Sequence, residues 1–346
     1  MTAISCERED GPRYPAEGTG RPIAFAVESE WQEITKSVVK DINDLENVGF
    51  DVLATWHKDP EDDWYYEYDN YPVFGASGTS VLFQDDSWVC TNEQEWQRGY
   101  YDFVAVVPAG GFECFQSSSF SKSKIGDKTT LEYANVLTLD LGEAGFTLST
   151  DKSEKNQQLD LMYAFYSADN SAEQSSTVNM KFDHAFSLLD INLAIKDGGT
   201  FAQEQIFVTD VLLYGIHPTI YGQLKFRNEL VAIGADNITD VTTNNIRDLL
   251  RDAPVSTSTA PFYRAEYTAG IGFPYGNNTI TLIDDLLVFP ETLSRSVSLK
   301  VEIKLYRSQV TKEVSVEINQ GEWKPGIPNV YTLVIDPTIF TTSEFF

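Results

Sequence analysis

Two segments in the second half of the chain restrict its fold more than any other part of the sequence. One is Val178-Asn179-Met180-Lys181-Phe182-Asp183-His184-Ala185-Phe186-Ser187-Leu188-Leu189-Asp190-Ile191-Asn192-Leu193. The other is Trp323-Lys324-Pro325-Gly326 followed by Val330-Tyr331-Thr332-Leu333-Val334-Ile335. Both are β-branched, aromatic and alternating, and both are bounded by turn residues. A period of two places alternate side chains on one face only when the backbone is extended. These segments therefore belong to sheets with a buried face.

The rest of the chain follows the same pattern. Strands are expected at Pro22 to Val27, Phe50 to Trp56, Tyr100 to Pro108, Leu137 to Leu141 and Leu161 to Tyr166. Val81 to Gln84 and Ser87 to Val89 read as one strand interrupted by Asp85-Asp86. Further strands are expected at Ile206 to Leu213, continuing toward Ile220, and at Thr279 to Phe289, Val297 to Tyr306, Lys312 to Ile318 and Val330 to Ile335. Thr35 to Asn47 reads as a loop or short helix, and Asn244 to Arg251 as the one clear short helix. Short strands at regular spacing with few helices indicate β-sandwiches. A length of 346 residues suits two of them. The polar stretch Ser167 to Ser176 is where they would meet. The expected division is a tether over 1–21, one domain over 22–170 and a second over 171–346 with a C-terminal tail.

Composition narrows the partners. The net charge is −27, from 52 acidic and 25 basic residues, so the surface repels phosphate backbones and nucleic acid is not an expected partner. No apolar run approaches the roughly 18 residues of a membrane-spanning helix. Near the start, Ala3-Ile4-Ser5-Cys6 resembles the end of a bacterial lipobox, with Ala3 where Leu is usual and a Pro/Gly-containing tether behind it. Cys6 is accordingly the expected lipid attachment site, with Met1 standing in for a removed signal peptide. Cys90 and Cys114 then form an even pair; two free thiols are the expected state, and a bridge is the other arrangement open to them.

Motifs that carry chemistry are missing from the sequence. His57, His184 and His217 do not fall at metal-ligand spacing, and His184 reads as a satisfied polar residue within a strand. Gly75-Ala76-Ser77-Gly78 lacks the spacing of a nucleophile elbow. No phosphate-binding or dinucleotide glycine pattern follows a strand. The acidic runs Asp59 to Asp63, Asp85-Asp86 and Asp284-Asp285 lack calcium-loop spacing and read as solvated turns. The expectation is a non-enzyme with no catalytic residues, no cofactor and no metal.

The order of several motifs resembles the Bacteroides-type fimbrillins, the Mfa-like and FimA-like subunits of type V pili. Ile23-Ala24-Phe25 opens the domain, and Gly49 to Ala54 resembles the second strand of that family. Trp88 and Trp96 precede Tyr101-Asp102-Phe103-Val104-Ala105-Val106-Val107-Pro108, similar to a family hairpin. Phe182-Asp183-His184-Ala185 resembles a strand start, and Leu286 to Leu293 resembles a proline turn with Glu291 in place of the common Gln. Trp323-Lys324-Pro325-Gly326 followed by Tyr331-Thr332-Leu333 is the closest match. The residues themselves read as core: Phe182, Ala185, Phe186 and Leu188 inward, Trp323 at the end of a sandwich, and Pro325-Gly326 in a turn.

The resemblance implies an all-β chain with two transthyretin-like β-sandwich domains in tandem. It also implies export as an outer-membrane lipoprotein, display on the cell surface, and assembly with other pilus subunits by strand exchange. In that family the first strand is removed by cleavage after an Arg; Arg13 and Arg21 are the available sites, and Pro22 follows Arg21. The displaced strand would be the segment before or at Ile23 to Val27. The donor would be the tail Thr338 to Phe346, with Ile339, Phe340, Phe345 and Phe346 as inserted side chains. A second reading is a surface lipoprotein that does not polymerise and binds glycan through Trp56, Trp64, Tyr65, Tyr66, Tyr68 and Tyr71. Host or bacterial surface glycan or protein would then be the partner.

Overall fold

A computed structural model describes residues 20–28, 39, 41–57, 71–125, 132–148, 160–172, 177–196, 206–227, 231–232, 261–273, 278–293, 297–305, 309–319 and 321–336. In chain order the first elements are β1 (Phe25–Val27), helix α1 (Ile42–Val48), β2 (Phe50–His57), β3 (Tyr71–Pro72), β4 (Thr79–Gln84), β5 (Ser87–Cys90) and β6 (Tyr100–Val107). Then come a 3₁₀ turn (Gly111–Cys114), β7 (Ser117–Ile125), β8 (Glu132–Asp140), β9 (Phe146–Thr147), β10 (Met162–Asp169), β11 (Val178–Met180), β12 (Asp183–His184) and β13 (Ser187–Ile195). The remaining strands are β14 (Ile206–Tyr214), β15 (Thr219–Ile220), β16 (Gln223–Arg227), β17 (Val231–Ala232), β18 (Tyr263–Gly272), β19 (Thr279–Val288), β20 (Val297–Leu305), β21 (Thr311–Ile318) and β22 (Pro328–Ile335). The fold is all-β, as the sequence reading expects.

The largest sheet has the order β12-β10-β6-β2-β4-β5, with β3 also on β2. β6 lies at its centre and is buried on both sides, which explains the continuous apolar run Phe103-Val104-Ala105-Val106-Val107. Phe103, Ala105 and Val107 face one core, together with Phe50, Val52 and Trp56 of β2. Val104 and Val106 face a second core, where Leu137 and Leu139 of β8 and Leu224 and Phe226 of β16 cover them. A third core fills the space between the sheet β19-β13-β22 and the sheet β18-β14-β20-β21.

Strand pairings cross the division expected between 170 and 171. β11 pairs in parallel with β1, and β12 pairs with β10. Further along, β15 pairs with β9, and β16 and β17 pair with β8. The second core also takes Phe186, Leu188, Leu287 and Phe289 from the strands that build the third.

Several local expectations are corrected. Asp85-Asp86 does not interrupt one strand. Both residues have positive φ (48° and 60°), and they reverse the chain into the antiparallel hairpin β4–β5. The run from Val178 to Ile195 is three strands, β11, β12 and β13, which join two different sheets besides β1. Asp284-Asp285 is not a solvated turn. It lies within β19, where a register shift against β13 and a φ of 53° at Asp285 form a bulge, and Asp285 is buried. β7, β16 and β18 have no counterpart among the expected strands. Ser-rich β7 and Gly-containing β18 lack the apolar alternation that marks a strand in sequence. The expected helix Asn244 to Arg251 and the run Asp59 to Asp63 lie outside the described residues.

Candidate functional site

The first strand is where the expected site residues meet described structure. Ile23 and Phe25 are buried, Ala24 is exposed, and Ala26 and Val27 are intermediate, so one face of the short segment enters the core. The Phe25 ring lies 6.1 Å from Phe50, 6.2 Å from Phe74 and 6.2 Å from Phe103, edge-on to Phe50 and Phe103. Trp96 stacks edge-on against Tyr101 at 4.7 Å and against Phe103 at 6.0 Å, and it belongs to the same core. Hence the tryptophan, the hairpin and the first strand quoted from the sequence converge on one aromatic cluster.

The backbone attachment of this segment is light. Phe25, Ala26 and Val27 register with Val178, Asn179 and Met180 of β11. Val178 N–H donates to Ala24 O at 2.8 Å, and Glu28 N–H donates to Met180 O at 3.0 Å. Upstream, Ile23 N–H donates to Gln94 O at 2.8 Å, and Trp96 N–H donates to Arg21 O at 2.9 Å. Arg21 and Pro22 are exposed at the head of the strand. A three-residue strand with one strand neighbour among the described residues, carrying one large aromatic anchor, is a separable piece of a sheet: its side chains are core, and the backbone contacts described for it are few.

The other end of the fold joins two more quoted motifs. Trp323 is fully buried in the third core. Its indole N–H donates to Tyr331 Oη at 3.1 Å, and its backbone N–H donates to Glu291 O at 2.8 Å. The proline turn at Leu286 to Leu293 and the Trp323 segment are thus neighbours in space. Gly326 takes a φ of 66° in the turn that follows, a left-handed conformation glycine adopts at little cost. Trp323 and Pro325-Gly326 take the roles expected of them.

Two of the histidines, His57 and His184, lie beside buried carboxylates. His184 Nδ1 lies 3.0 Å from Asp160 Oδ1 with both side chains buried, and Asp160 Oδ2 accepts from Val39 N–H at 3.4 Å. His57 Nε2 lies 3.7 Å from Asp102 Oδ2, and its ring stacks on Tyr100 at 5.4 Å. Asp160 is 24 residues before His184, too far for the sequence to announce the pair. The thiols are free, Cys90 buried and Cys114 exposed, and no bridge joins them. Burial pushes both above the usual thiol range; at Cys114 the carboxylates of Glu113 and Asp51 add to the effect.

Among the described residues, one group of acidic side chains, Asp190, Asp284 and Asp285, has carboxylate oxygens within 4.8 Å of one another, the closeness a cation would need. Asp190 Oδ1 already accepts from Asp285 N–H at 2.9 Å, so part of this geometry serves the bulge itself. Of the aromatic group considered for glycan stacking, Trp56 is a core residue. It is buried, and its indole N–H donates to Arg98 O at 3.3 Å, which withdraws it from any ligand face. Trp64, Tyr65, Tyr66 and Tyr68 lie outside the described residues, as do Cys6, Arg13, Ile339, Phe340, Phe345 and Phe346.

Comparison with known proteins places this architecture. A fimbrial protein from Bacteroides vulgatus has a similar fold, with a TM-score of 0.55 at 18% identity over 92% of this chain and 96% of that one. Putative cell adhesion proteins from Bacteroides ovatus and Bacteroides uniformis align less closely. Their TM-scores are 0.43 and 0.39, at 12% and 11% identity, over 92% of this chain and 93% and 95% of theirs. No curated protein matches the chain. The model of the fimbrillin-like family matches residues 39–345, most of the chain, and the chain belongs to that family.

Proposed function

We propose that this protein is a structural or adhesive subunit of a bacterial surface pilus, assembled with other subunits by strand exchange. The observation that carries the reading is the seat of β1. Its side chains anchor an aromatic core through Phe25, while its one strand partner among the described residues is the three-residue β11. A cut after Arg13 or Arg21 frees the N-terminal end of β1, and its displacement would uncover Phe50, Phe74 and Phe103 and open one edge of β11. An extended segment with alternating apolar side chains satisfies both losses, through a backbone ladder and pockets for alternate residues. Arg21 and Arg13 are the processing sites we infer, and the donor is Thr338 to Phe346, inserting Ile339, Phe340, Phe345 and Phe346. Cys6 carries the lipid that anchors the precursor to the outer membrane at the cell surface, before the cut after Arg13 or Arg21 separates the two.

We infer two transthyretin-like β-sandwiches in tandem, with β15, β16 and β17 of the second half of the chain reaching back to β9 and β8 of the first. The family membership and the fold of the fimbrial neighbour support this reading. The glycan-binding alternative loses Trp56 to the core.

The test is limited digestion of the purified protein with an Arg-specific protease. The expected result is a ladder of detergent-resistant oligomers from the full chain and none from a chain lacking Thr338 to Phe346. Ladders of equal yield from both chains would reject the tail as donor. A cleaved chain that stays monomeric in the presence of intact tails would reject strand exchange.

A further inference from the structure

The open edges of the two sheets that enclose the third core differ in charge. β21 carries Lys312, Glu313 and Glu317, β18 carries Arg264 and Glu266, and β19 carries Asp284 and Asp285. Charges of this kind keep edges from pairing with other chains. β22, Pro328-Asn329-Val330-Tyr331-Thr332-Leu333-Val334-Ile335, carries none over eight residues. Among the described residues its one strand neighbour is β13. Three of the five exposed large apolar side chains among those residues belong to it or adjoin it: Ile327, Val330 at 57% and Val334 at 56% exposure.

Backbone direction fixes what this edge offers. Lys196 N–H donates to Ile335 O, so Ile335, Leu333 and Tyr331 turn their backbone groups toward β13. By alternation, Val330, Thr332 and Val334 turn theirs to the open edge. Their side chains lie on one face; Thr332 and Val334 register with uncharged Asn192 and Ala194 of β13, and Val330 with buried Asp190, near exposed Asp284 of β19.

We propose that β22 is a self-complementary edge that pairs antiparallel with the same strand of a second copy, about a two-fold axis through Thr332. In that register Thr332 meets Thr332 of the partner subunit, and Val330 meets Val334 of the partner subunit. Every exposed apolar side chain then finds an apolar neighbour, and the Thr pair adds a cross-strand contact. The three outward-facing residues of each strand are placed to exchange their backbone hydrogen bonds, which doubles the three-stranded sheet. The same patch on both molecules is what a closed two-fold contact requires. Charge selects the occupant. Two chains of net charge −27 repel over most of their surfaces, and this strand, uncharged over its eight residues, is where a second copy approaches with least penalty. A single strand edge buries less than a standard interface, so the dimer is weak and concentration-dependent. The contact is lateral and independent of processing at the N-terminus.

The test uses the full, uncleaved chain. Sedimentation at rising concentration should show a growing dimer fraction. The double variant Val330→Lys, Val334→Lys should weaken association about tenfold or more and leave the melting temperature unchanged, because both side chains are exposed. In a Cys6→Ser, Cys114→Ser background, Thr332→Cys should give covalent dimer with a short thiol–thiol crosslinker. Val330→Cys alone should not, whereas a mixture of Val330→Cys and Val334→Cys chains should. A chain that is monomeric throughout, or Val330→Cys crosslinking as well as Thr332→Cys, would overturn the proposal. So would a dimer that forms only after residues 337–346 are removed, since the chain's own tail would then be the occupant of the edge.

Discussion

Gly75 and Gly78 flank one turn before β4, and both have positive φ, 79° and 73°. Their surroundings differ. A Cβ on Gly75 would meet nothing within 4 Å, whereas a Cβ on Gly78 would lie 2.3 Å from Val52 O and 2.9 Å from Leu53 Cδ2. Gly75→Ala therefore costs only the left-handed backbone penalty, about 1 kcal/mol. Gly78→Ala must in addition push β2 and β4 apart where Val52 registers with Thr79. Urea unfolding should place the second variant well below the first; equal midpoints would contradict the close approach. His184 belongs to the same scale. Its role is to hold Asp160 and, through Asp160, the backbone of Val39, which ties three remote parts of the chain around one buried pair.

At the scale of elements, β4 and β5 show how turn chemistry sets register. Asp85 and Asp86 both adopt left-handed φ, the geometry of a type I′ turn, and the pairing Gln84↔Ser87 closes the loop around them. Asn-Gly suits this turn better than Asp-Asp, and it also removes two like charges in sequence. Asp85→Asn, Asp86→Gly should stabilise the protein by about 0.5–1 kcal/mol, the relief of left-handed strain at residue 86 less the extra unfolded-chain entropy of Gly. A drop in melting temperature would show that the aspartates serve some other purpose. The bulge in β19 makes the opposite use of local irregularity. It turns Asp285 inward, beside Asp190, where a regular strand would keep strict alternation.

Over the whole molecule, the two halves of the chain share a core. Leu224 and Phe226 of β16 are fully buried against Leu137 and Leu139 of β8, and Ile220 lies beside Phe146. A fragment ending at Phe186 loses all of these covers, and Leu287 and Phe289 with them. Burying each such side chain contributes roughly 1.5–3 kcal/mol, comparable in sum to the stability of a whole domain. The fragment 1–186 is expected to bind a hydrophobic dye and to unfold without a cooperative transition. A sharp two-state melt from that fragment would show that the first half does not need residues 219–232.

The sequence by itself determined the class of fold, most of the long strands and the fate of the strongest residues. Phe103 to Val107, Val297 to Leu305 and Trp323 are written in period and composition, because burial on one face or both imposes a pattern that survives in one dimension. The run of family motifs was legible for the same reason, since each is a core residue or a turn. Only the tertiary structure decided which strands meet. The pairing of β16 with β8 joins residues such as Lys225 and Thr138 that no local pattern relates. The split of the run 178–195 among separate sheets, and the burial of Asp190 and Asp285, depend on neighbours supplied from far along the chain. Backbone hydrogen bonds carry no record of the partner strand in the side chains that flank them, so pairing, register and bulges are fixed only when distant segments pack on a common core.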